Sequence, residues 1–211
     1  MVSKKRSEKM KIINIDQNSD QWLELRKGKI TGSKLKDIIV KRGNGKKIGF
    51  YQLIADRVAT EPDDENPMDR GHRLEQEAIK LFEQTNGVSV ISNGMWIADW
   101  NEDVAISPDG SFNDYKDAVE VKCLSSAKHL QALIEKDIPS EYLEQAVQYF
   151  IVNDDLERLH FVFFDPRIGA KPYHEIVIER NATITELVEK YKDYQLKILD
   201  EVNTWVEGLA F

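Results

Sequence analysis

The sequence predicts an α/β or α+β domain, and three observations carry that prediction. Several stretches of ten or more residues space their apolar side chains at i, i+3 and i+4, the signature of amphipathic helices. Others alternate apolar and polar residues, the signature of strands. Their order is helix, helix, meander, helix, helix, hairpin, helix. The chain has 211 residues, 41% hydrophobic and 31% charged, with no long apolar run. That is enough to bury a sizeable core and offers no membrane-spanning stretch.

Residues 1–11 read as a flexible basic leader without a signal-peptide pattern, and 12–211 as one domain. Ser19 and Asp20 form a plausible cap for a short helix over 21–27, with Trp22 and Leu25 on one side and Arg26 beside them. At 30–39, Thr31, Gly32 and Ser33 precede a short amphipathic helix. Its start is either an ordinary hydroxyl cap or an anion site built from free backbone N–H groups. Arg42, Lys46 and Lys47 sit in a basic loop suited to backbone phosphates. A helix follows over 50–59, then an acidic, proline-containing loop from Glu61 to Pro67, with Met68 next.

The helix over 72–84 places Glu75, Ala78, Ile79 and Phe82 on one stripe, so an acid lies on an apolar face. A carboxylate there needs a partner or a metal, unless its place in the first turn still lets it reach water. Two meander strands are expected over 88–98 and 103–106, then a helix over 125–136 and another over 142–152 that carries Tyr142 and Gln145. A buried hairpin is expected from 159–164 and 173–178. Thr183 and Glu186 form a capping-box candidate for a last helix with Leu187, Tyr191, Tyr194, Ile198, Val202 and Trp205 on its apolar side.

The stretch from Ser107 to Cys123 carries the chemistry. In Ala118-Val119-Glu120-Val121-Lys122-Cys123 the alternation puts Glu120 and Lys122 on one strand face, about 7 Å apart. By itself that pattern also describes an ordinary solvated sheet face. Asp109, followed by Gly110, would come beside Glu120 if the residues between them form a hairpin. Two carboxylates and an amine would then make a hard-cation site suited to phosphodiester cleavage. The single cysteine, Cys123, excludes an internal disulfide and multi-cysteine zinc or iron-sulfur sites, and points to a reducing cytoplasm. The net charge of −8 argues against a nucleic-acid partner. Its distribution argues for one, because residues 1–47 hold fourteen Lys or Arg against five Asp or Glu.

Taken in order, these pieces resemble the PD-(D/E)XK nuclease superfamily, and within it the lambda-exonuclease-like phage recombination exonucleases of the YqaJ-like viral recombinase family. The resemblance rests on Trp22 with Leu25-Arg26, Ile30-Thr31-Gly32-Ser33, Gly71 with Glu75, Ser107-Pro108-Asp109-Gly110 and Glu120-Val121-Lys122-Cys123. It continues through Tyr142 with Gln145, Asp165-Pro166-Arg167 and Val177-Ile178-Glu179-Arg180. It implies a restriction-endonuclease-like core, a mixed β-sheet flanked by helices. It also implies Mg²⁺, replaceable by Mn²⁺, held by Asp109, Glu120, the Val121 carbonyl and Glu75, with Lys122 and Gln145 acting on water and phosphate. Arg26, Ser33 and Ser107 would hold a 5′-phosphate, Met68 would separate the strands, and Asp99 would be a further acid near the site. The implied activity is 5′-to-3′ digestion of one strand of linear duplex DNA to 5′-mononucleotides, leaving 3′ overhangs for recombination. A homotrimer, a single-strand annealing protein as partner, and the cytoplasm of a bacterial host belong to the same expectation. The alternatives are an endonuclease or repair nuclease of the superfamily, and a non-catalytic DNA-binding recombination scaffold.

Overall fold

The computed structural model describes residues 16, 19–27, 29, 37, 45–61, 66–92 and 94–209. The expectations for the basic leader, for Thr31 and Ser33, and for Arg42 lie outside the described residues. Arg26 and Met68 fall within helices, but their side chains also lie outside what is described.

Helix α1 (Asp20–Arg26) begins where expected, because the Ser19 hydroxyl accepts the Trp22 N–H at 3.2 Å. Helix α2 (Ile48–Val58) approaches another backbone closely at Gly49, where a Cβ would lie 2.5 Å from the Asp37 carbonyl oxygen. Helix α3 (Pro67–Asn86) starts five residues before the expected position. Proline suits a first turn, where its missing N–H is not needed, and Asp69 complements the helix dipole. Its buried stripe is Arg70, Leu74, Ala78 and Phe82, with Glu75 and Ile79 half-buried on the flank.

The expected meander is much reduced. Only β1 (Trp96–Ile97) and β2 (Ala105–Ile106) pair there, antiparallel. Ile91 instead bridges to Ser111 of the main sheet, so the stretch divides its pairing between two sheets on either side of Gly94.

The main sheet contains β3 (Gly110–Phe112), β4 (Asp117–Lys122), β5 (Arg158–Phe164) and β6 (Tyr173–Glu179), in the order β3-β4-β5-β6. The β4–β5 pair is parallel and the other two are antiparallel. Parallel neighbours need a long crossover. Here it comprises α4 (Ser126–Glu135), a 3₁₀ turn (Ser140–Tyr142) and α5 (Leu143–Val152). The expected helix over 142–152 therefore starts one residue later, with Tyr142 as its cap. The β5–β6 hairpin matches expectation.

One face of the sheet buries Ala118, Leu159, Phe161 and Phe163 against Ala146, Tyr149 and Phe150 of α5. The other buries Val119, Val162 and Phe164 against Leu74, Ala78 and Phe82 of α3. Helix α6 (Ala182–Leu209) is capped by Asn181, whose side chain accepts the Ile184 N–H at 3.0 Å, and not by the expected Thr183 box. Asparagine caps as well as threonine and lies at the actual boundary. Of the expected α6 stripe, Leu187 and Tyr191 pack on the core, while Tyr194, Ile198, Val202 and Trp205 are exposed. Among the described residues no helix is long and apolar enough to cross a membrane.

Candidate active site

The β3–β4 hairpin forms as the sequence predicts and sets the geometry. Its last paired residues are Gly110 and Val119, so the antiparallel register places Asp109 opposite Glu120, just beyond the ladder. Gly110 is required there: a Cβ would lie 2.1 Å from Val90 Cγ1. The turn contains three consecutive left-handed residues, Asn113, Asp114 and Tyr115. The first two are residue types that tolerate this conformation.

Beyond Val119 the edge of β4 is free of β3, and Asp109 takes up the vacant valence. The Val121 N–H donates to Asp109 Oδ2 at 2.6 Å. A strand residue points its N–H and its C=O to the same side, so the Val121 carbonyl also faces this open edge.

Glu120 and Lys122 lie on the α5 side of the sheet. Glu120 is only 5% exposed, yet both of its oxygens are satisfied. Oε1 accepts from Lys122 Nζ at 2.6 Å and from Gln145 Nε2 at 2.8 Å, while Oε2 accepts from the hydroxyl of Tyr149. Gln145 and Tyr149 are one helical turn apart on α5, which puts both over the same carboxylate. Gln148 faces α6 and exchanges hydrogen bonds with Gln195 at 3.2 and 2.9 Å.

Burial and the neighbouring Glu120 push the Asp109 carboxyl up to about 7; Glu75 adds to the rise, while the Val121 N–H and Lys122 oppose it. Burial raises the Tyr149 hydroxyl strongly, and Glu120 raises it further, so Tyr149 stays a proton donor. The Cys123 thiol, buried on the opposite face, is raised to about 12 chiefly by burial and is inert as a nucleophile at neutral pH.

The structure thus brings together Asp109, Glu120, Val121, Lys122 and Gln145, with Glu75 close enough on α3 for its charge to act on Asp109. Ser107 is exposed between β2 and Asp109. Lys46 and Lys47 precede α2, and Lys46 Nζ lies 5.3 Å over the Phe50 ring. Asp99 is exposed, and it is not among the groups whose charge acts on Asp109. It lines a groove of about 660 Å³ with Trp96, Tyr115, Asp154 and Asp155. Sequence reasoning gave Tyr149 no role, although its i+4 spacing from Gln145 was a usable signal.

The donor types suit a hard divalent cation: Asp109, Glu120 and the Val121 carbonyl offer oxygens, and the neighbouring carboxylates help hold the Asp109 carboxyl above its ordinary range. Among the described residues no group of three or more His, Cys, Asp or Glu side chains forms a ready-made cage. Mg²⁺ characteristically takes one or two carboxylates and keeps several waters, and needs no such cage.

A family model described as the YqaJ-like viral recombinase domain matches residues 21–155. Among solved structures, the chain is similar to an alkaline exonuclease (LHK-Exo) from Laribacter hongkongensis, at 22% identity over 90% of this chain and 96% of that one, with a TM-score of 0.60. LHK-Exo in complex with dAMP matches at 23% identity over 91% and 100%, with a TM-score of 0.59. A phage related exonuclease from Haemophilus somnus 129PT aligns at 15% identity over 82% and 94%, with a TM-score of 0.45. No curated protein matches the chain. The likeness to LHK-Exo establishes the fold, a mixed sheet flanked by helices.

Proposed function

The chain belongs to the YqaJ-like viral recombinase family, and from that premise we propose that it is a Mg²⁺-dependent exonuclease that digests one strand of linear duplex DNA from its 5′ end. The family and the fold support a nuclease. The observation that carries the finer reading is the convergence of Asp109, Glu120, Lys122 and Gln145 at the free end of β4.

Asp109, Glu120 and the Val121 carbonyl would hold the cation, with Glu75 beside them. When bound, it would neutralise the carboxylates and favour ionisation of water. Gln145 turns its NH₂ toward Glu120, which leaves its carbonyl oxygen to accept a hydrogen bond from a water. Lys122, with one N–H on Glu120, has further donors for the attacking oxygen or the charge that builds on phosphorus. Tyr149 locks the second oxygen of Glu120 and so fixes that carboxylate's orientation. Water adds to phosphorus and the bond to the 3′ oxygen breaks. A 5′-mononucleotide leaves, and the shortened strand keeps its 5′-phosphate. LHK-Exo has been solved with dAMP, a nucleotide of the kind such a reaction releases.

Arg26, Ser33 and Ser107 would hold the terminal 5′-phosphate, Arg42, Lys46 and Lys47 would follow the backbone, and Met68 would part the strands. Assembly as a homotrimer and transfer of the 3′ overhang to a single-strand annealing protein complete the proposal.

The test is end-labelled linear duplex with Mg²⁺. Release of labelled mononucleotide from the 5′ end, abolished in Lys122→Ala, is expected. Near-wild-type digestion by that variant would overturn the assignment, and nicking of closed circular plasmid would redirect it to an endonuclease. One observation favours a second reading, a non-catalytic DNA-binding scaffold: both oxygens of Glu120 are already taken by the chain's own donors. Titration calorimetry with Mg²⁺ or Mn²⁺ separates the two readings, because a scaffold has no saturable site that depends on Asp109.

A further inference from the structure

Lysine is a poor choice for a precisely placed amine. Its four-carbon stem is flexible, and fixing it costs on the order of 2 kcal/mol of rotamer entropy. One carboxylate on one side leaves the ammonium free to swing. The surroundings of Lys122 supply the missing constraint. Its Nζ lies 4.8 Å from the centre of the Tyr142 ring and 5.9 Å from that of Phe161, so two rings bound the ammonium in addition to Glu120. The rings pack on each other, with centroids 6.1 Å apart and planes at 38°.

The two rings are held differently. Phe161 pairs directly with Glu120 across the β4–β5 ladder and is fully buried, so its ring is part of the core. Tyr142 is half-buried at the junction of the 3₁₀ turn and α5, with φ −103° and ψ 0°; its N–H donates to the Pro139 carbonyl at 2.9 Å. It precedes Gln145 by three residues, so one helix start delivers both the ring over the ammonium and the amide on Glu120.

We infer that Tyr142 is a positioning residue: its ring face holds the Lys122 ammonium where the attacking oxygen or the phosphoryl charge can meet it. The inference rests on the nuclease reading of this site. It requires the ring and not the hydroxyl, so Tyr142→Phe keeps the wild-type kcat. Tyr142→Leu lowers kcat by about 10-fold, in line with the modest strength of such contacts, and leaves KM for duplex DNA within about twofold.

The decisive experiment is isosteric. Phenylalanine and its mono-, di- and trifluorinated analogues are placed at 142, which drains negative charge from the ring face without changing its shape. Log kcat is expected to fall stepwise with fluorine number while the melting temperature and KM stay level. A flat series overturns the inference, as does a leucine variant as fast as the phenylalanine one. Lys122→Ala run alongside separates the two levels. If that variant is inactive and the fluorine series is flat, only the positioning role falls. If it remains active, the nuclease reading falls and takes the inference with it.

Discussion

Two aspartates sit at opposite ends of one hairpin, Asp117 buried and Asp109 half-buried, and the fold treats them in opposite ways. Asp117, at the start of β4, is fully buried but surrounded by donors: Arg158 Nε at 2.5 Å and Nη2 at 3.0 Å, Asn113 at 2.8 Å and His160 Nε2 at 3.1 Å. Burial opposes its ionisation, yet these bonds prevail and bring its pKa down to about 2. His160 in turn gives its Nδ1 to Glu175 at 2.6 Å, so both ring nitrogens face carboxylates and the imidazolium is favoured. Asp109 receives one backbone N–H and faces two further carboxylates, and its pKa rises to about 7. The chain is therefore able to neutralise a buried acid and does so where it builds structure. Where Asp109 meets Glu120 it sets carboxylates beside one another with only the Val121 N–H and Lys122 to offset them, which disfavours ionisation of Asp109.

The comparison can be broken experimentally, beginning with the largest effect. Glu120→Gln keeps the size of the side chain and removes its charge. Digestion of 5′-labelled duplex should fall at least about 1,000-fold, equivalent to about 4 kcal/mol of barrier. Retained activity would make the Asp109 end as structural as the other.

Asp117→Ala should behave conversely. It leaves His160 and Arg158 without their shared carboxylate, and urea denaturation should show a loss of about 3 kcal/mol, at the lower end for broken buried pairs because Arg158 is partly exposed. Digestion by the folded fraction should persist. Asp109→Asn should give a rarer sign, a metal-free protein stabilised by about 1 kcal/mol at pH 8, because a carboxyl forced to ionise there is replaced by a neutral amide. A destabilised Asn variant would show that Asp109 is compensated after all.

The smallest effect sharpens the structural end. Burial disfavours the His160 charge, but the bonds to Glu175 and Asp117 outweigh it and raise the pKa. A raised folded pKa means stabilisation that is complete below the unfolded value of about 6.5 and lost as pH rises through the folded value. His160→Gln should therefore flatten the decline of unfolding free energy on the alkaline side, by about 1 kcal/mol between pH 6 and pH 9 in urea denaturation. An unchanged slope would mean that the ring is neutral in the fold.

Strand alternation put Glu120 and Lys122 on one face, and the turn residues between Phe112 and Asp117 allowed the hairpin that brings Asp109 opposite Glu120. Helical periodicity located α2, α4 and α5 to within two residues and α3 to within five, and the β5–β6 hairpin was legible from its alternating strands. These are local patterns of period two or 3.6, which the backbone imposes on any chain. Periodicity reports that a face exists but not what covers it. The α6 stripe from Tyr194 to Trp205 is as regular as a core stripe and remains exposed, while on α3 Leu74 is buried and Glu75 only half-buried. The 88–98 strand broke up because Ile91 and Trp96 found partners in different sheets, a competition between segments distant in sequence.

The same distinction governs the site. Residue types announced acids, an amine and an amide. Only the parallel β4–β5 crossover brings α5 onto β4, and with it the Tyr149 hydroxyl on Glu120 and the Tyr142 ring over Lys122. Whether a buried aspartate is acidic or reluctant depends on the charges within a few ångströms of it. Asp109 and Asp117 are the same residue type eight positions apart, and tertiary structure alone set one near 7 and the other near 2.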